Sequence, residues 1–175
     1  IGELTAAIVT AGFRAPAYAY PDRRAWLAQP QKGGLGTWML HGIHTIAQLR
    51  YVLGEVAVVY AQQHRAASFQ RADIEATVSA TLTLVSGVTV QLLQTAETKI
   101  PEPLAGYVLH GDQGSLQAHA TSCRVFVDGQ DAAILPIPPL RHCEYALELA
   151  AFADAVAGIE GPTTGIAERR SLAIM

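Results

Sequence analysis

Charge is scarce in this sequence, and where it occurs it is scattered. Only 15% of the 175 residues are Asp, Glu, Lys or Arg, the net charge is −3, and no basic cluster occurs. That excludes nucleic acid as a main partner, because phosphate binding needs a positive patch. Cysteine is almost absent. Cys123 and Cys143 stand far apart with no CxxC spacing, which argues against a disulfide framework and for two reduced thiols in a cytoplasmic protein. No apolar run approaches the length of a membrane span, and no signal-peptide pattern opens the chain. No GxGxxG follows a strand and no βαβ unit is present, so these residues do not form a dinucleotide-binding fold. Repeats and low-complexity segments are also missing.

What remains is globular. Half of the residues are hydrophobic, and the length suffices for one domain, residues 1–175, with a sizeable core. Leu4 to Phe13 is small and β-branched and reads as a strand. Arg14 to Lys32 reads as a long loop containing Pro16, Pro21, Pro30, Arg23, Arg24 and Trp26, and loops of this kind tend to carry function. Val56 to Gln62 is a second strand. Ile74, Ala76, Val78, Ala80, Leu82 and Leu84 alternate with Glu75, Thr77, Ser79, Thr81 and Thr83, the period of a half-buried strand. Ser86-Gly87 then turns the chain into Val88 to Glu97, which must be its antiparallel partner. Tyr107 to His110, Ser115 to Ala120, Arg124 to Val127 and Ala132 to Ile137 are shorter strands, with turns at Gly111 to Gly114 and Asp128-Gly129. Arg141 to Gly158 is helical, with Tyr145, Leu149, Phe152 and Val156 at helical spacing. Thr164 is positioned to cap a last helix from Ile166, near whose start Glu168 suits the dipole. Strands in a run with helices on one face predict an α+β fold with an open, mainly antiparallel sheet. The uncovered face of Thr, Ser and Gln suits sheet-to-sheet packing, and hence a homodimer or tetramer.

The chemistry concentrates at Gly33-Gly34-Leu35-Gly36-Thr37-Trp38-Met39-Leu40-His41-Gly42-Ile43-His44. A glycine-rich turn enters a helix, with Thr37 as the expected N-cap. His41 and His44, three apart, share one face, and Gln48 extends it. Met39, Ile43, Ile46 and Leu53 form the expected buried stripe, and Gly54 the stop. His44 is either a proton donor or acceptor at a substrate hydroxyl, a role suited to imidazole near neutral pH, or a buried histidine bonded to a backbone carbonyl. His41 either lines the same pocket or supports a neighbour from behind. Arg14 either pairs with an anionic substrate group or is a solvated loop arginine. Trp38 either walls the pocket or belongs to the core. Tyr107 reads as sheet packing, Arg50 and Tyr51 as flanks of the helix end, and His64, His110, His119 and His142 as ordinary surface or strand residues. HxxH without a glutamate or a third ligand is poor evidence for metal, and none is expected.

The same stretch resembles the entry to the second domain of the glucose–fructose oxidoreductase / inositol dehydrogenase family of nicotinamide-dependent enzymes. That family's pattern is a Gly-Gly turn, an apolar run, Asp-x-Gly-x-His, and a helix ending in Leu-Gly. Gly42, His44 and Leu53-Gly54 match it. Leu40 replaces the usual Asp, and Ala47 a frequent second one, which departs from a polyol-type site. Gly111 and Gly114 match the family's later turn, and Pro162-Thr163-Thr164-Gly165 loosely matches its last motif. The resemblance spans nearly the whole chain. It implies that His44 is the catalytic-site histidine; His41, Arg14, Trp38 and Gln48 are the candidate substrate contacts that the residues themselves offer around it. It also implies that NAD or NADP is bound mainly by an upstream Rossmann half of roughly 120–150 residues, which carries a lysine that works with the histidine. The string Thr37 to His44 further resembles phthalate dihydrodiol and dihydroxyphthalate dehydrogenases, implying an aromatic dihydrodiol carboxylate as substrate.

A chain that starts at Ile1 in a strand and stops at Met175 inside a helix is expected to be part of a longer polypeptide. The leading expectation is therefore the substrate and oligomerisation domain of a dehydrogenase acting on a small molecule. The competing expectations are a non-catalytic ligand-binding or dimerisation module, and a metal-dependent hydrolase built on His41 and His44.

Overall fold

Small and β-branched residues favour extended backbone. The first such run, Leu4–Gly12, becomes the central strand β1 of the computed structural model. The structure describes residues 1–14, 26, 29–33, 36, 38–66, 74–102, 104–120, 122–139, 143–159 and 165–175. Seven further strands complete the set: β2 (Val56–His64), β3 (Thr77–Leu84), β4 (Thr89–Thr95), β5 (Gly106–Gly111), β6 (Gly114–His119), β7 (Ser122–Phe126) and β8 (Ala133–Leu135). They form one sheet in the order β2-β3-β4-β1-β5-β6-β7-β8. Every neighbouring pair is antiparallel except β1 and β4, which run parallel with Ala7 opposite Val90 and Val9 opposite Leu92. The architecture is α+β with an open, mostly antiparallel sheet, as the strand run predicts.

The hairpins sit where the turn residues place them. Gly87 and Gly129 adopt positive φ between β3 and β4 and between β7 and β8. Strand β3 starts three residues later than the alternation suggests, so Glu75 is not part of a polar strand face. It lies before the strand and is buried, at 7% exposure.

The helices are α1 (Pro30–Gly33), α2 (Ile43–Leu53), α3 (Glu144–Val156) and α4 (Gly165–Ile174), and a π turn over Trp38–Gly42 leads into α2. Thr37, the expected cap, and Thr164 lie outside the described residues, as do His142 and most of the Arg14 to Lys32 loop. One face of the sheet (Ala7, Val9, Val78, Ala80, Leu82, Val90, Leu92) packs on Trp38, Ile46 and Leu49 to make the core. Met39 leaves the expected stripe: it is 36% exposed, and Trp38, at 4%, takes its place. The π turn explains the exchange, because its i to i+5 bonding inserts one residue and moves the apolar stripe back by one position. On α3 the stripe Tyr145, Leu149, Phe152 and Val156 lies exposed.

Candidate functional site

The site begins with how the chain enters α2. The first N–H groups of a helix have no partner within it. Here a carboxylate from a distant segment supplies one. The Gly36 N–H donates to Glu75 Oε2 at 2.6 Å, and the Trp38 N–H donates to Glu75 Oε1 at 2.7 Å. An anion is well placed there, because the helix dipole is positive at that end. Sequence reading missed Glu75. Its only signal is an acid standing in an otherwise uncharged alternating run.

Gly42 is helical, with φ −58° and ψ −32°, so its backbone does not require glycine. Space does: a Cβ there would lie 2.7 Å from Trp38 Cε3. Trp38, expected as a possible pocket wall, is therefore placed in the core, with its ring over Gly42.

With Trp38 turned inward, His41 and His44 point to the other side. Their ring centroids are 6.5 Å apart in an edge-on arrangement. Phe13, just past β1, packs on His41 with centroids 4.1 Å apart. His41 and His44 are both exposed residues. The contact with Phe13 nonetheless covers part of the His41 ring. That burial, and then the charge of His44, lower the His41 pKa from the ordinary histidine value. Gln48, one turn on, accepts a hydrogen bond from the Tyr107 hydroxyl at 3.3 Å. Burial pushes the Tyr107 phenol up to about 12, so it stays protonated and donates. Tyr107 thus borders the site as well as packing in the sheet. Behind this row, Thr45 donates to the side-chain oxygen of Gln94 at 3.1 Å, and Gln94 is 1% exposed.

The structure therefore brings together His41, His44 and Gln48 from the expected set, adds Phe13 and Tyr107, and sends Trp38 to the core. Arg14 is next in the chain after Phe13 and is exposed. Leu40 is half-buried in the same turn. Among the described residues no group of three His, Cys, Asp or Glu side chains is placed to hold a metal ion. The other described histidines sit on strands: His110 Nδ1 is 3.0 Å from Ser115 Oγ, and His119 Nδ1 lies 2.8 Å from Glu102 Oε1 without the alignment of a hydrogen bond.

Arg50 does more than flank the helix end. Its Nε and Nη2 donate to both oxygens of Glu55 at 2.9 and 2.8 Å, and its Nη1 donates to Ser171 Oγ on α4 at 2.7 Å.

Comparison with known proteins gives three findings. The family profile of the GFO/IDH/MocA C-terminal domain matches residues 1–117. No curated protein matches the sequence. Solved structures share the fold at low identity. Aldose-aldose oxidoreductase from Caulobacter crescentus, complexed with glycerol, superposes with a TM-score of 0.79 at 20% identity over 99% of this chain and 52% of its own. An oxidoreductase from Agrobacterium radiobacter, in complex with NAD+, L-tartaric acid and magnesium, gives 0.77 at 19%, over 99% and 53%. Biliverdin reductase from Synechocystis sp. PCC 6803, in complex with biliverdin and NADP+, gives 0.74 at 18%, over 99% and 53%. The chain spans about half the length of each of these structures.

Proposed function

The chain belongs to the GFO/IDH/MocA family, and on that premise we propose that it is the substrate and oligomerisation domain of an NAD(P)-dependent dehydrogenase. The observation that carries this reading is the His41/His44 face, held open beside Phe13 and Tyr107 by a helix whose other face is core. His44 takes the proton from a substrate hydroxyl during oxidation and returns it during carbonyl reduction. His41, Gln48 and Arg14 contact the substrate, and Tyr107 holds the Gln48 amide in place.

The nicotinamide, when bound, supplies the hydride acceptor. The described residues do not fit its pyrophosphate: the sequence has no glycine fingerprint, and the helix N-terminus beside the histidines is already taken by the Glu75 carboxylate, which would repel an anion. The cofactor, NAD or NADP, belongs to a nucleotide-binding half upstream in a longer polypeptide. The twofold greater length of the superposed oxidoreductases and the exposed apolar stripe of α3 support such a half.

Within this class, Leu40 in place of an acid and Arg14 beside Phe13 favour an anionic, sparsely hydroxylated substrate such as an aromatic dihydrodiol carboxylate. Unpaired Cys123 and Cys143 favour a reducing, cytoplasmic setting, and among the described residues no helix is long and apolar enough to cross a membrane. The open sheet face carries Ile8, Val58, Tyr60, Phe126 and Ile134 among its Thr and Gln residues, all substantially exposed. That mixture supports a homodimer or tetramer through this face.

The test is a nicotinamide-linked assay of the full-length polypeptide with polyols, hydroxy acids and aromatic dihydrodiol carboxylates. Turnover with any of them supports the class, and preference for the last supports the finer substrate. No turnover together with no nicotinamide binding overturns the reading, leaving a ligand-binding or dimerisation module.

A further inference from the structure

We propose that Glu75 is a positioning residue for the histidine face, its buried carboxylate fixing the turn from which His41 and His44 project. The proposal rests on the reading of that face as the active site.

Three observations carry it. First, both carboxylate oxygens are committed to the backbone, one to the Gly36 N–H at 2.6 Å and one to the Trp38 N–H at 2.7 Å. These are the short distances of charge-assisted bonds. Glu75 therefore grips main chain at two points across 39 and 37 residues of sequence. A side chain that merely filled space would not do so. Second, the grip demands close approach: a Cβ on Gly36 would lie 2.2 Å from the Glu75 carbonyl oxygen and 3.0 Å from Oε2. Third, the gripped residues lead directly into a π turn, Trp38–Gly42, which carries His41 and ends two residues before His44. Such a turn holds one residue more than an α turn, is rare, and is frequent at functional sites. Anchoring the chain just before it fixes where the extra residue is absorbed, with Trp38 in the core and His41 against Phe13 at 4.1 Å. Released from Glu75, the turn is free to tighten toward α geometry, where each residue rotates the face by about 100°.

The experiment uses the full-length polypeptide with isotopically labelled histidine. Glu75→Gln keeps the volume and one acceptor oxygen but faces the other N–H with an amide donor. Glu75→Asp keeps the charge but shortens the reach, and it serves where Glu75→Gln fails to fold. The expected result is that the ring resonances of His41 and His44 move, His41 most, as it loses the Phe13 ring current. Turnover is expected to fall by about 10- to 100-fold, the scale of small misplacements, with nicotinamide affinity unchanged. Histidine resonances identical to wild type, with only the melting temperature reduced, would overturn the proposal and leave Glu75 a structural cap. Resonances that move while turnover stays intact would support the positioning role and overturn instead the active-site reading on which the proposal rests.

Discussion

At its N-terminal end, the helix that carries the histidines is held by an anion: Glu75 accepts the Gly36 and Trp38 N–H groups. At its C-terminal end it is held by a cation: Arg50, with its side chain 8% exposed, pairs with Glu55 and donates to the buried Ser171 on α4. Both signs suit the helix dipole. The difference lies in what each grips. Glu75 binds backbone at the entry to the histidine turn, so it governs orientation. Arg50 binds side chains on two other segments, so it governs attachment. Perturbing the first should change chemistry more than stability, and perturbing the second should do the reverse.

The largest effect expected on stability is at the Arg50 end. Arg50→Met removes the partner of buried Ser171, which should cost about 2 kcal/mol. Glu55 is too exposed to add much. For a chain of this size that is a fall in melting temperature of roughly 4–8 °C, measurable by calorimetry. Turnover in the same variant should stay near wild type. A strong loss of turnover with little loss of stability would erase the contrast between the two ends.

Gly42→Ala sharpens the contrast at the other end. In a helix interior alanine is ordinarily favoured over glycine by about 1 kcal/mol. Here the new methyl would meet the Trp38 ring at 2.7 Å, and overpacking of that kind costs about 1–3 kcal/mol. Chemical denaturation should therefore show a modest net loss. A net gain would mean that the Trp38 ring is not held over Gly42.

The smallest effect is on pH dependence. His41 has its pKa lowered by burial, then by His44, so the unfolded chain takes up this proton before the folded one does. Its contribution to stability is intact above the ordinary histidine pKa and is lost as pH falls through that value toward the lowered one. His41→Gln should flatten that limb of a stability–pH profile. An unchanged limb would place the titration elsewhere.

Much of this was legible in the chain. Alternation marked β3, the short Ser86-Gly87 turn marked β4 as its partner, and the His41–His44–Gln48 spacing marked a shared face, because those signals are local. The parallel pairing of β1 with β4 carries no local signal; it joins strands about 80 residues apart. Trp38 and Met39 exchanged places because nothing in composition announces a π turn. Glu75 was hidden because its partners lie 37 and 39 residues upstream, and an acid in the polar set of an alternating run reads as solvent-facing. Arg50 looked like a helix-end flank because Ser171, 121 residues on, is visible only once α4 has packed.

The most direct measurement is the steady-state kinetics of His44→Ala in the full-length polypeptide, with nicotinamide affinity measured alongside. Loss of the proposed acid–base group should lower kcat by about 10²- to 10⁴-fold and leave cofactor binding unchanged. Normal turnover in that variant would contradict the assignment of this face as the active site.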